Sequence, residues 1–243
     1  MTSRESVPRS RRERPAKAAL THDGIVAAAV GLMRAEGLQR VTMRRLAQEL
    51  DTGAASLYVY VANTAELHAA ILEELLGGVE LAPGGGGGGV TRGEGEGEGW
   101  CDRLVSLLGS YTRVLFEHPS LAHSALVARP SGPHYLALVE AILALLHEGE
   151  VPDAQAAWGV DVLLQVATAT AAEQSTRGRA ADAEAEHDRL VAALRDVSAV
   201  THPRIAALGT ALLSGSHEQR LAWIFRMVIN GARNTPVTTE ASA

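Results

Sequence analysis

Apolar positions along this chain recur at spacings of three and four, and strict alternation is nearly absent. Ile25, Ala28, Ala29, Leu32 and Met33 share one face of a first helix, predicted from Thr21 to Glu36. Thr21 can cap it, Asp23 suits its positive end, and Gly37 is a natural stop. Two short helices follow within TMRRLAQELDTGAASLYVYV, residues 42–61. Thr42 caps the first, on which Leu46, Ala47 and Leu50 share a face; Leu57, Tyr58 and Val61 let the second fold back on it. Asp51 and Gly53, which tolerate left-handed backbone angles, bracket the turn. That is the sequence form of a helix-turn-helix, although two short amphipathic helices also suit an ordinary helical domain. A fourth helix is predicted over about 64–76, with Leu67, Ala70, Ile71 and Leu75 inward and His68 near its start.

The pattern then breaks. Residues 77–99 are dominated by Gly and Glu, with six consecutive Gly at 84–89 and Gly-Glu repeats at 93–99. No Gly-Lys-Ser or Gly-Lys-Thr ending accompanies them, so a phosphate cradle is excluded and an acidic flexible linker is expected. Helical spacing returns with Leu104, Leu107, Leu108, Tyr111 and Leu115, ending near His118-Pro119. Further helices are predicted over about 121–127, 135–147, 152–173, 183–199, 203–213 and 216–232. The expectation is an all-α protein. Its parts are a basic arm (1–20), a helix-turn-helix unit (21–76), a linker (77–99), a larger helical unit (100–233) and a tail (234–243).

Composition adds three points. The net charge of −6 argues against nucleic acid, but its distribution does not. Residues 1–64 carry ten Arg and Lys against six Asp and Glu; the remainder carries twelve against twenty-two. A basic end on an acidic body suits a protein that meets phosphates at one end only. Cys101 is the one cysteine, so no internal disulfide forms and a cytoplasmic setting is expected. No uninterrupted apolar run reaches about 18 residues, so no membrane span is expected.

From about Leu20 to Leu76 the chain resembles the N-terminal domain of the tetracycline-repressor (TetR) family of bacterial regulators. The resemblance rests on Ile25, Ala28, Leu32 and Met33, on Glu36-Gly37-Leu38, and on Val41-Thr42-Met43-Arg44-Arg45-Leu46-Ala47. Ser56-Leu57-Tyr58 and then Asn63, Glu66 and Leu67 complete it, in order and with matching loop lengths. Three positions depart from the family pattern: Asp51 for a turn Gly, Tyr60 for a common His, and Thr64 for a Lys that often touches phosphate.

Carried over by position, the resemblance implies DNA contacts from Thr42, Arg44, Ala54, Ala55, Ser56, Tyr58 and Tyr60. Arg44 is the candidate base reader, since a guanidinium can donate two bonds to guanine. Tyr58 is expected to lie against the fold and Tyr60 at the groove rim. The resemblance further implies a homodimer on a palindromic operator in double-stranded DNA, released by a small-molecule effector. Dimerisation would use the last two long helices, through Val160, Leu163, Leu164 and Ala167 and through Leu221, Ile224, Phe225 and Val228; the same stripes equally suit an internal core. In the larger unit the few aromatic and histidine side chains, Tyr111, Phe116, His123, His134, Tyr135 and Trp158, are candidates for an effector pocket or ordinary packing.

No nucleophile–base pair, paired apolar carboxylates or metal-ligand spacing is present, so neither catalysis nor a metal or cofactor is expected. The competing function is an architectural protein that coats DNA without reading it.

Overall fold

The computed structural model describes residues 19–82, 98–126, 130–177 and 182–238, and among these it is helical without strands. Most of the predicted basic arm, the six-Gly run and the end of the tail lie outside the described residues.

The first helix, α1 (His22–Glu36), is capped as its sequence requires: Thr21 Oγ1 accepts from Gly24 N at 3.1 Å. Gly37, at φ 86°, ends it and donates to Met33 O. After a 3-10 turn (Leu38–Arg40) come α2 (Met43–Glu49) and α3 (Ala54–Leu57). Thr42 Oγ1 accepts from Arg45 N at 3.1 Å, and Asp51 takes φ 46° in the turn. Gly53 does not share that geometry; at φ −82° it is the extended N-cap of α3. Residues 58–60 leave the α-helix as a turn, with the amides of Tyr60 and Val61 both donating to Leu57 O.

Helix α4 (Thr64–Leu76) starts on a reciprocal pair: Asn63 Oδ1 accepts from Glu66 N, and Glu66 Oε2 accepts from Ala62 N. It packs on α1 at one side and reaches the larger unit at the other. Ile25, Ala29, Leu46, Leu57, Val61, Leu67 and Ile71 are wholly buried and form the centre of this head. Each large apolar side chain so buried contributes about 1.5–3 kcal/mol.

The ends of the expected linker, 77–99, take part in the fold, and residues 83–97 of it lie outside the described residues. Val79 is buried, Glu80 N donates to Ser110 Oγ at 3.0 Å, and α5 (Glu98–Glu117) starts inside the predicted linker. Around α5 gather α6 (Pro119–Ala125), α7 (Pro133–Glu148), α8 (Asp153–Arg177) and α11 (His217–Asn234). Trp100 is buried against Gly149, where any side chain would collide with its ring. His118 stands at the start of α6, but through its carbonyl, which accepts from Leu121 and Ala122; its side chain caps nothing.

Between α8 and α11 lie α9 (Ala183–Arg195), α10 (Pro203–Leu208) and a 3-10 turn (Gly209–Leu213). This segment packs chiefly on itself and buries no residue.

Candidate nucleic-acid interface and effector cavity

Arg44 and Arg45 are adjacent on α2 but have different partners. Arg45 binds Glu36 at 2.5 Å and Glu49 at 2.9 Å. Those bonds hold the Glu36 carboxyl below its ordinary pKa and the Arg45 guanidinium above its own. Arg44 is exposed and makes no ion pair among the described residues, so its five donors stay available. Thr42 is exposed too; its oxygen caps α2 while its hydroxyl proton is free to meet a phosphate.

On α3, Ala55 and Ser56 are exposed and Ala54 is half-buried against the core. Tyr58 reverses the expectation that it lies on the fold: it is 53% exposed, more than Tyr60 at 38%. The cause is the early end of α3. Leu57 and Val61 hold the inward positions, and the turn between them throws residues 58–60 outward. Val59, 80% exposed, therefore stands on this face as well, although it is missing from the expected contacts. The spacing of Leu57 and Val61 as two core anchors is the signal that would have found it. Together these groups offer one guanidinium, two hydroxyls, two phenols and several methyls, nearly all of them exposed. That set can bind phosphates and read guanine and thymine edges.

In the larger unit a cavity of about 90 Å³ lies among α4, α5, α6, α7 and α8. Leu72, Tyr111, Leu126, Tyr135, Leu164 and Thr168 are among its walls. Tyr111 is buried and its hydroxyl meets Thr168 Oγ1 at 2.8 Å; burial raises its pKa to about 12. Of the six pocket candidates only Tyr111 and Tyr135 line this cavity. Phe116, five residues beyond Tyr111, falls on another face of α5 and meets the His217 ring edge-on at 5.2 Å. His123 is held by Thr176 at 3.1 Å and by Pro119 O at 3.3 Å. Trp158 is 63% exposed.

His134 lies at the joint between α4 and α7. Glu73 of α4 accepts from the backbone N–H of His134 at 2.6 Å and of Tyr135 at 3.3 Å, while His134 Nδ1 approaches Glu73 O at 3.0 Å. Helix α7 has no side-chain cap of its own, so Glu73 supplies it from another helix. A Cβ at Gly132 would fall on the Glu73 carboxyl, so a larger residue there would push the cap aside. A second link from α4 is His68, whose Nδ1 meets Ser124 Oγ of α6 at 3.1 Å. Burial holds the His68 pKa below its ordinary value, and its Nε2 has no partner among the described residues.

The expected dimer stripes are mostly internal. Leu163, Leu164, Ala167, Leu221 and Phe225 are buried between α8, α11 and their neighbours. The apolar side chains these two helices turn outward are Trp158, Val162, Trp223 and Met227. No helix of the described residues is long and apolar enough to cross a membrane, and no cluster of three metal-ligating side chains occurs among them.

Residues 25–71 match the model of bacterial regulatory proteins of the tetR family, and residues 93–235 that of the tetracyclin repressor-like C-terminal domain. A Streptomyces transcription regulator of known crystal structure is 56% identical, over 93% of this chain and all of that one, with a TM-score of 0.72. ActR from Streptomyces coelicolor, solved in complex with actinorhodin, is 33% identical over 88% of this chain and 96% of its own, with a TM-score of 0.73. The HTH-type transcriptional repressor DrrR1 of Streptomyces coeruleorubidus is 46% identical over 65 residues, 27% of this chain and 24% of that protein. The chain spans half or less of the curated relatives it matches. A helix-turn-helix with its cations outward, an α4 that runs from it into an all-helical body, and matches over both halves agree: the chain belongs to the tetracycline-repressor family of bacterial transcriptional regulators.

Proposed function

We propose that this chain is a homodimeric repressor that holds a palindromic operator and leaves it when a small molecule enters the cavity behind α4. The observation that carries this reading is the reach of α4. Its Leu67 and Ile71 are wholly buried in the head, Leu72 lines the cavity, and Glu73 caps the helix that carries Tyr135. A ligand needs more room than about 90 Å³, since small-molecule sites span roughly 300–1,000 Å³. Entry therefore displaces walls, and two of them adjoin the α4–α7 joint. The displacement changes the spacing of two reading heads only if two chains are locked together. The outward Trp158, Val162, Trp223 and Met227 give α8 and α11 an apolar face for that pairing.

The DNA contacts in this reading are Thr42, Arg44, Ala54, Ala55, Ser56, Tyr58 and Tyr60, joined by Val59. ActR with its bound actinorhodin and the repressor DrrR1 support both the effector and the direction of control. The test is selection of randomised DNA by the purified protein at about 0.15 M salt. An inverted repeat in the bound pool is expected. A pool without a motif, with binding that vanishes as salt rises, would favour the architectural alternative.

A further inference from the structure

The larger unit has a second hollow, and it faces away from the first. It is a groove between α5 and α11 of about 620 Å³, within the size range of small-molecule sites. Gly109 and Phe116 of α5 face Leu221 and Phe225 of α11 across it. Gly109 is two residues from Tyr111, about 200° around α5, so the groove and the inner cavity are separate. Glycine inside a helix weakens it, and no close backbone approach requires one here: a Cβ at 109 would meet nothing within 4 Å. Its effect is to keep the groove open.

One end of the groove is polar. Gln174 Nε2 lies 2.8 Å from His217 Nδ1 and donates to it, which places the ring proton on Nε2. That Nε2 is buried and has no acceptor among the described residues, with Phe116 standing edge-on to the ring. An unmet buried donor is a standing cost that an oxygen admitted by a turn of the Phe116 ring would remove. Arg113 lines the same end from α5, exposed and without an ion pair among the described residues. Glu218 lines it from α11, so an anionic group is drawn toward the α5 side. At the other end Arg226 and Asp102 tie the two helices together at 2.9 Å.

We propose that this groove binds a flat aromatic carboxylate, with its rings between Val105, Phe116 and Ala222 and its carboxylate between Arg113 and the His217 Nε2 proton. The site does not depend on the effector reading of the inner cavity. Calorimetric titration of the full chain with 2-naphthoate, and with the neutral alcohol 2-naphthalenemethanol, tests it. One site per chain is expected for the carboxylate. Gly109→Leu, which fills open space with a good helix former, weakens both probes at least about tenfold. Arg113→Gln weakens the carboxylate by roughly tenfold and leaves the alcohol unchanged. Because Arg113 is exposed, that variant keeps the fold and decides the matter even if Gly109→Leu unfolds. No binding of 2-naphthoate up to about 1 mM overturns the proposal. So does equal carboxylate binding by the wild type and Arg113→Gln, or full binding by a folded Gly109→Leu, which would place the probe elsewhere.

Discussion

The head and the body are both helical, yet they are held differently. The head joins short helices through an apolar centre and turns its polar groups outward, with Arg45 tied to Glu36 and Glu49 at its surface. The body holds a polar link inside it, Tyr111 to Thr168, and is joined to α4 of the head by two more, Glu73 to the start of α7 and His68 to Ser124. Apolar contacts are indifferent to small rotations, whereas a hydrogen bond is lost when its partner moves by an ångström or so. The head is thus suited to move as one piece, and the body to change state where its polar links break.

The largest effect should come from the head's centre. Leu46→Ala removes a side chain with no exposed surface and is expected to cost about 2–5 kcal/mol in urea unfolding. An equal loss of body signal at the same urea concentration would mean that head and body unfold together, which would weaken the distinction.

Arg44→Ala should leave that unfolding curve unchanged. It should reduce discrimination between operator and random DNA by roughly 1–3 kcal/mol in fluorescence anisotropy. Loss of affinity for both DNAs alike would make Arg44 a phosphate contact. In the body, Tyr111→Phe is expected to cost about 1 kcal/mol, because it leaves Thr168 without its partner. Adding Thr168→Val should restore part of that loss, and a double mutant worse than the sum would sink the pairwise account.

His68 supplies a pH test. Its folded pKa is depressed by burial, so the unfolded chain takes up a proton more readily as pH drops below about 6.5. The stabilisation is whole above that pH and is lost as pH falls. His68→Gln should flatten the fall in thermal midpoint between about pH 7 and 5. Smallest of all, Leu190→Ala on the self-packed segment between α8 and α11 should shift stability of the single chain by less than about 0.5 kcal/mol, since Leu190 is already 48% exposed.

Much of the head was legible because its signals are local. Thr21 and Thr42 cap helices from three residues away, Gly37 and Asp51 take the positive φ their types allow, and α4 runs over its expected span. The outward swing of Tyr58 was not legible from periodicity, because α3 lasts one turn and a helical wheel does not describe the non-helical turn at 58–60. In the body the decisive partners are distant in sequence. His134 is taken by Glu73, 61 residues away, so no local pattern withdraws it from the pocket. On α8 buried and outward apolar residues lie on several sides, from Leu163 and Ala167 to Trp158 and Val162; spacing alone therefore could not choose between core and dimer face.

The cap that Glu73 provides also bears on how the chain is built. Helix α7 cannot complete its first turn from its own sequence, and its missing acceptor arrives from a segment made 61 residues earlier. Such a closure is slow relative to helix growth. The start of α7 should therefore acquire protection from hydrogen exchange together with the end of α4 rather than with the rest of its own helix. Those two helix ends should then open and close together, although one belongs to the head and the other to the body.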